Sequence, residues 1–390
     1  MSLRLPAFVQ SAAFKALERA TTRGTLRLHT PDGRERVFAG REAGPDATLV
    51  VHDWRIVGAV TARGDIGLGE AYMHGWWDSH GLESFIAWSI ANVGGLGRLA
   101  WGSPLRRFEA VLRDRLWRRN SIAGARRNIM SHYDLGNEFY ALWLDPSMTY
   151  SSGLYDGPGG TLPDAQSRKY QRILTGIGAR DEVLEIGCGW GGFIAKAESE
   201  GRRVTGLTIS QRQYDFVRAR AGAGSSVQFQ DYRLSQGRYP AIVSIEMLEA
   251  VGERYWREYF ATLRARLADD GVALVQTITI RDDMFASYRT CSDYIRHYIF
   301  QGGMLPSLSR IREEAGFAGL AVRDVYSFGS DYARTLRDWS GRFDAAAGAI
   351  GSLGYDDKFQ RGWRLYLAMC AAAFESGRTD VHQIALVATR

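Results

Sequence analysis

The stretch Glu182-Val-Leu-Glu-Ile-Gly-Cys-Gly-Trp-Gly-Gly192 limits this chain more than any other. Its apolar first half predicts a buried strand. The four glycines that follow predict a turn whose backbone passes close to a ligand, because glycine reaches unusual dihedrals and has no side chain to block the approach. Residues 193–200 suit a helix. Strand, glycine turn and helix N-terminus in that order make the corner of an open α/β sheet where a nucleotide-like cofactor sits.

The surrounding rhythm agrees. Helix 164–177 is expected before strand 182–187, helix 191–200 before strand 203–208, and helix 210–221 before strand 227–230. Strand 241–245, helix 254–267 and strand 272–276 complete the run, and 383–388 reads as a late strand at an antiparallel edge. Repeated βα units predict an α/β fold, a doubly wound, mostly parallel Rossmann-like sheet. The aromatic-rich, largely helical insertion at about 283–376 would supply a lid or a substrate wall.

The N-terminal part reads differently. A helix at 7–20, strands at 25–29, 36–38 and 48–52 with turns at 31–33 and 44–46, and helical segments over 69–92 predict a small α+β domain without a nucleotide signature. The expected organisation is a small accessory domain over 1–102, a basic helical linker over 103–130, and a catalytic domain over 131–390. A chain of 390 residues has room for two cores.

No apolar run reaches the roughly 18 residues of a membrane-spanning helix, and the N-terminus lacks a signal-peptide core. Cys188, Cys291 and Cys370 have no metal-ligand spacing, so no metal is expected and a reducing, cytoplasmic setting fits. The net charge of +6 is carried largely by arginine, concentrated at Arg106, Arg107, Arg113, Arg115, Arg118, Arg119, Arg126 and Arg127 against only Glu109 and Asp114. Such a segment is either a solvated helix face or a contact for an anionic partner, phospholipid headgroups or nucleic acid.

A dinucleotide site calls for an acid about 20 residues beyond the glycine turn. Here the second strand ends in Gly206-Leu-Thr-Ile-Ser210 without a carboxylate, and the acid lies at Glu185, two residues ahead of Gly187. A carboxylate there repels a pyrophosphate but suits a sulfonium and amino-acid ligand. The expected cofactor is therefore S-adenosyl-L-methionine rather than NAD. Thr208 and Gln213 would replace the missing acid as hydrogen-bonding groups, and Asp231 and Tyr232 after the third strand would offer adenine an acceptor and an aromatic face.

Gly64-Asp-Ile-Gly-Leu-Gly-Glu-Ala-Tyr-Met-His-Gly-Trp-Trp-Asp78, His132-Tyr-Asp-Leu-Gly-Asn-Glu-Phe-Tyr140, Met148-Thr-Tyr-Ser-Ser152, Glu249-Ala-Val-Gly252, Tyr298-Ile-Phe-Gln-Gly-Gly-Met-Leu-Pro306 and Phe328-Gly-Ser-Asp-Tyr332 follow one another along the chain. In this order they resemble the cyclopropane-fatty-acyl-phospholipid synthases and the related mycolic acid methyltransferases. The resemblance implies cofactor contacts at Tyr150, Ser151, Gly187, Gly189, Thr208, Ile209, Gln213, Tyr232 and Ile245. Taken singly, Tyr150 and Tyr232 suit core packing as well.

The resemblance also implies a substrate and a chemistry. The nucleophile would be a carbon–carbon double bond in an unsaturated phospholipid acyl chain, held within about 3–3.5 Å of the methyl group to be transferred. The resulting cation would be sheltered in a dry cavity walled by aromatics of 285–300 and 326–343. In ring-forming members the base is a bicarbonate held by a cysteine, a glutamate, a histidine, a tyrosine and a backbone amide. The matching positions are Ser152, Glu249, Gln276, Tyr332 and Ile278, with Ala250 where a second histidine is often found. Ser152 and Gln276 can still hydrogen-bond bicarbonate or another small anion. With the thiol and imidazole gone, a methyl-branched or methylene chain is expected slightly ahead of a cyclopropane.

The residues admit three other readings. Glu249 could merely cap the helix near Arg254. A nucleic-acid methyltransferase would use the arginines, but no Asn/Asp-Pro-Pro-Tyr motif is present, and an inert lipid-binding relative would not retain Glu249 and Tyr332. The expected partners are thus phospholipid acyl chains and an anionic membrane surface met by 106–127, with no nucleic acid. The enzyme would sit in the cytoplasm against the inner face of the membrane, its small domain either forming a homodimer or gripping lipid.

Overall fold

The computed structural model describes residues 6–97, 135–222 and 224–389. The arginine-rich segment 106–127, the linker around it, and His132 to Asp134 lie outside the described residues. The described chain forms two compact units. One combines the N-terminal segment with 290–299 and 347–376, and the other combines 135–289, 300–346 and the C-terminal segment from Gly377.

In the first unit, β1 (Arg23–His29), β2 (Glu35–Ala39), β3 (Glu42–Val51) and β4 (Trp77–Asp78) form a sheet in the order β2-β1-β3-β4. β1 pairs antiparallel with β2 and parallel with β3. The helix Asp357–Glu375 packs on the helices Asp65–Met73 and Leu82–Ala91 of this unit. A side chain at Gly69 would collide with the Tyr294 ring, whose hydroxyl donates to the Gly362 carbonyl at 3.1 Å. Arg361 donates to the carbonyls of Tyr72 and Trp77 and to Asp78. These contacts draw 290–299 and 347–376 into the N-terminal unit, whereas the sequence suggested one continuous insertion within the catalytic part.

The second unit is a seven-stranded sheet. β5 (Glu182–Ile186), β6 (Arg203–Thr208), β7 (Ser226–Phe229), β8 (Tyr239–Ile245) and β9 (Leu267–Ile280) run parallel, joined by β10 (Leu320–Ser327) and β11 (Thr379–Ala388) in the order β10-β11-β9-β8-β5-β6-β7. β11 is antiparallel to β9 as expected, but it is not an edge, because β10 pairs antiparallel outside it. β10 escaped sequence reading because it is largely exposed and carries Arg323 and Asp324, as edge strands commonly do.

Both faces of the sheet are covered, which explains the near-continuous apolar runs of its central strands. Leu184, Ile186 and Ile242 pack against Trp256, Tyr259 and Phe260 of the helix Trp256–Arg266. Val183 and Val243 pack against Ile173 and Leu174 of the helix Leu162–Ile177 and against Phe193 of the helix Gly192–Ser199. β5 therefore ends with its glycine turn between two helical layers.

Candidate active site

The turn after β5 needs its glycines. Gly187, Gly189 and Gly191 have φ of 83°, 52° and 80°, where other residues are strained. The amides of Gly187 and Cys188 both donate to the Leu207 carbonyl at 3.0 Å, which ties the turn to β6. A Cβ at Gly187 would lie 2.8 Å from Met247, whereas one at Gly189 would meet nothing within 4 Å. Gly189 thus presents bare backbone to a cavity at the carboxyl ends of the strands, where open α/β sheets bind ligands.

That cavity gathers the expected cofactor residues. Glu185, Gly187 and Gly189 come from β5 and its turn, Thr208, Ile209 and Gln213 follow β6, Asp231 and Tyr232 follow β7, and Ile245 ends β8. Tyr150 and Ser151 close it from the preceding segment. Ser210 caps the helix Gln211–Arg218, and the Thr208 hydroxyl donates to Gln213 Oε1 at 3.0 Å, so both polar side chains are held at the rim. The Tyr232 ring stands edge-on to Tyr259 at 5.6 Å. Asp231 accepts from Arg233 through both carboxylate oxygens, at 2.8 and 2.6 Å, so it enters the cavity as half of a buried ion pair rather than as a free acceptor.

Glu185 is the group that asks for a ligand. It is 2 % exposed, and its Oε2 has no hydrogen-bond partner among the described residues. Burial pushes its pKa up to about 8, with the charge of Lys169 acting the other way. A buried carboxylate oxygen without a donor is costly, and an ammonium group arriving in the cavity would satisfy it. The carboxylate, the open glycine backbone and the Tyr232 face together fit S-adenosylmethionine.

Beside the cavity stands an aromatic group. The Tyr150 ring lies 5.5 Å from Tyr140, 5.5 Å from Trp143 and 5.2 Å from Trp339. Of the two aromatic segments expected to wall an acyl cavity, 326–343 contributes Tyr332 and Trp339 here, whereas Tyr294 and Tyr298 of 285–300 belong to the other unit.

The five residues expected to share an anion are arranged otherwise. Glu249 Oε1 accepts from the Ile278 amide and, at 3.0 Å, from the Thr277 hydroxyl, while its Oε2 is buried without a partner among the described residues. Its carboxylate thus bonds to β9 and does not cap the helix beginning at Trp256. Burial, then the charge of Glu246, pushes its pKa up to about 8. The other three surround a different acid. The Ser152 amide and Gln276 Nε2 donate to Glu246 Oε1 at 3.0 and 2.8 Å, and the Tyr332 hydroxyl donates to Glu246 Oε2 at 2.6 Å. The Ser152 hydroxyl turns away to the Gly153 carbonyl, and Gln276 Oε1 accepts from Gln383 at 3.1 Å.

Sequence reasoning missed Glu246 and Lys169. Glu246 directly follows β8, at the carboxyl edge of the sheet, and that position was its signal. Lys169 shares the buried face of the helix Leu162–Ile177 with Ala165 and Ile173, an unusual place for an amine. Its Nζ donates to Ser151 Oγ at 2.6 Å, and burial draws its pKa down to about 7 against the pull of Glu246, Asp145 and Glu185. Among the described residues no cluster could hold a metal ion, and no helix is long and apolar enough to cross a membrane.

A doubly wound sheet with a glycine turn, a buried acid behind it and a cavity above its carboxyl edge defines an S-adenosylmethionine-dependent methyltransferase. The family model for mycolic acid cyclopropane synthetase matches residues 121–384. The tuberculostearic acid methyltransferase UfaA1 of Mycobacterium tuberculosis is 37% identical over 404 residues, covering 98% of this chain and 93% of that protein. The cyclopropane-fatty-acyl-phospholipid synthase of Escherichia coli is 33% identical over 341 residues, covering 83% and 84%. Among solved structures, the mycolic acid cyclopropane synthase CmaA1 complexed with SAH and CTAB superposes with a TM-score of 0.63 at 30% identity, covering 67% of this chain and 97% of that one. The chain belongs to the mycolic acid cyclopropane synthetase family.

Proposed function

We propose that this enzyme transfers a methyl group to a carbon–carbon double bond of an unsaturated acyl chain in a membrane phospholipid, leaving a methyl-branched or methylene chain. The observation that carries this reading is the polar cluster beside the cofactor cavity, in which Ser152 and Gln276 bond to Glu246 at the positions where the family resemblance implies a thiol and an imidazole for ring formation. It is supported by the relative named as a tuberculostearic acid methyltransferase, which matches nearly the whole chain. Ring closure to a cyclopropane is the second reading, and the similarity to the Escherichia coli synthase favours it.

Bound S-adenosylmethionine would supply an electrophilic methyl group. In this reading Glu185 holds its amino-acid end, Thr208 and Gln213 hold polar groups at the rim, and Tyr232 and Ile245 flank the ring system. Gly187 and Gly189 admit the chain between, and Ile209 and Asp231 complete the wall. Tyr150, with Tyr140, Trp143 and Trp339 behind it, lends π density near the cation that methyl transfer creates and keeps water away. Glu249, with one carboxylate oxygen uncommitted and its proton affinity raised, adds negative charge or accepts a proton nearby.

The segment 106–127 gives the enzyme a peripheral contact with anionic lipid, consistent with its charge. Purified enzyme, cofactor and unsaturated phospholipid vesicles, followed by mass and NMR analysis of the released acyl chains, test the product. Vinylic methylene or branched methyl signals are expected. High-field cyclopropane protons alone would overturn the branched reading and leave the ring-forming one.

A further inference from the structure

We propose that Glu246 is a built-in replacement for the small-anion base, so that the proton lost after methyl transfer goes to a side chain of this chain and no bicarbonate is bound. The inference rests on the acyl-chain methylation proposed above and concerns how its last proton leaves.

The donors make the case. Three of the positions that the family resemblance assigns to a bicarbonate are Ser152, Gln276 and Tyr332, and the amide of the first and the side chains of the other two are already committed to one carboxylate. The remaining two, Glu249 and the Ile278 amide, are bonded to each other. A carboxylate and a bicarbonate present the same planar pair of acceptor oxygens. A separate anion would find no free donor in this cluster and would stand against a fixed negative group. A bicarbonate therefore does not fit the residues present.

The backbone is also set for this purpose. Glu246 has φ 50°, one of only two non-glycine residues in the left-handed region among the described residues, and its amide donates to the Gln276 carbonyl at 2.8 Å. Strained conformations of this kind persist where surrounding contacts over-determine them, commonly at functional sites. The residue lines the cofactor cavity, so it would stand in the wall of the site that a bound methyl donor fills.

The two departures at Ser152 and Gln276 then acquire a reason. Ser152 contributes its backbone amide, so a thiol is not required and the hydroxyl is spent on Gly153. An amide at Gln276 donates without carrying charge, whereas an imidazolium would hold the carboxylate ionised and reduce its basicity. Facing Glu246 are Lys169 and Tyr170 from one helix, Tyr332 from another, and Glu249 one turn on. Burial raises the proton affinity of Glu246, while Tyr332, Lys169, the Ser152 amide and Gln276 counter it.

The step balances without an oxidant or reductant. After methyl transfer the acyl chain carries a cation. The electron pair of a neighbouring C–H bond becomes either the closing C–C bond of a ring or a new C=C bond. The proton passes to the Glu246 carboxylate, which becomes neutral and then releases it to water.

The test compares wild type, Glu246→Gly and Glu246→Gln. Glycine tolerates the left-handed backbone and empties the site, and glutamine fills it without basicity. In carbon-dioxide-free buffer the wild type is expected to keep full turnover, and 13C-bicarbonate NMR should detect no binding to it. Both variants should lose about 10²–10⁴-fold in turnover, the usual contribution of a general base. Only Glu246→Gly should bind 13C-bicarbonate and recover turnover with bicarbonate or formate. The acidic limb of the wild-type pH profile should vanish in the rescued variant, whereas a purely structural role would leave it in place. Calorimetric binding of S-adenosylhomocysteine checks that both variants keep the cavity. Saturable bicarbonate stimulation or binding in the wild type, or full turnover of Glu246→Gln, overturns the inference. A wild type that binds S-adenosylhomocysteine but methylates no unsaturated phospholipid sinks the functional reading instead, because the bicarbonate measurements need no substrate.

Discussion

Glu185 and Glu249 each keep one carboxylate oxygen buried without a partner among the described residues, and each has its pKa raised to about 8 by burial. A carboxyl group with a folded pKa above its unfolded value contributes stability that is present below the unfolded pKa and lost as pH rises through the folded one. The ligand-free protein should therefore melt at progressively lower temperature between about pH 5 and pH 8, and a flat profile there would contradict the burial argument. Cofactor binding should reverse the cost at Glu185 by favouring its ionised form. S-adenosylhomocysteine binding near pH 7 should then release a proton, seen as a heat that depends on the ionisation enthalpy of the buffer. Glu185→Gln should weaken that binding by about 10- to 100-fold, the value of a hydrogen bond to a charged group. Glu249→Gln should instead leave affinity intact and reduce turnover by about 10²-fold or more.

At the scale of elements, the glycine turn separates strain from recognition. Gly187→Ala places a methyl group against Met247 at a left-handed position, so it should lower stability by about 1–2 kcal/mol as well as affinity. Gly189→Ala faces open space, so its excess effect should appear in cofactor binding; equal binding losses in the two variants would contradict this division. The parallel strands and the turn were legible because buried strands and glycine punctuation are written locally. β10 was not, since its exposed, charge-bearing pattern inside a helical stretch carries no local signature and its identity comes from pairing with β11. Glu246 was hidden for a related reason. The motif around it marks Glu249, and only the folded backbone brings Ser152, Gln276 and Tyr332, far apart in sequence, onto the nearer acid.

For the whole molecule, net charge says more than fold. The arginine-rich segment 106–127 predicts vesicle binding that needs anionic lipid and weakens as salt rises, because screening shortens to about 8 Å at physiological ionic strength. Binding that ignores salt would contradict a charge-based contact. The N-terminal unit raises a separate point about modularity. Its helix Asp357–Glu375 and its Tyr294 come from deep in the second half of the sequence, with Trp363, Leu365 and Tyr366 buried. A chain beginning at residue 135 would keep these segments while losing the helices they cover, leaving large apolar surfaces bare. Such a truncation is expected to aggregate, even though it retains every residue of the cofactor cavity. No single cut along the chain separates the two units, so a gene encoding the catalytic part alone would encode about a quarter of the other as well.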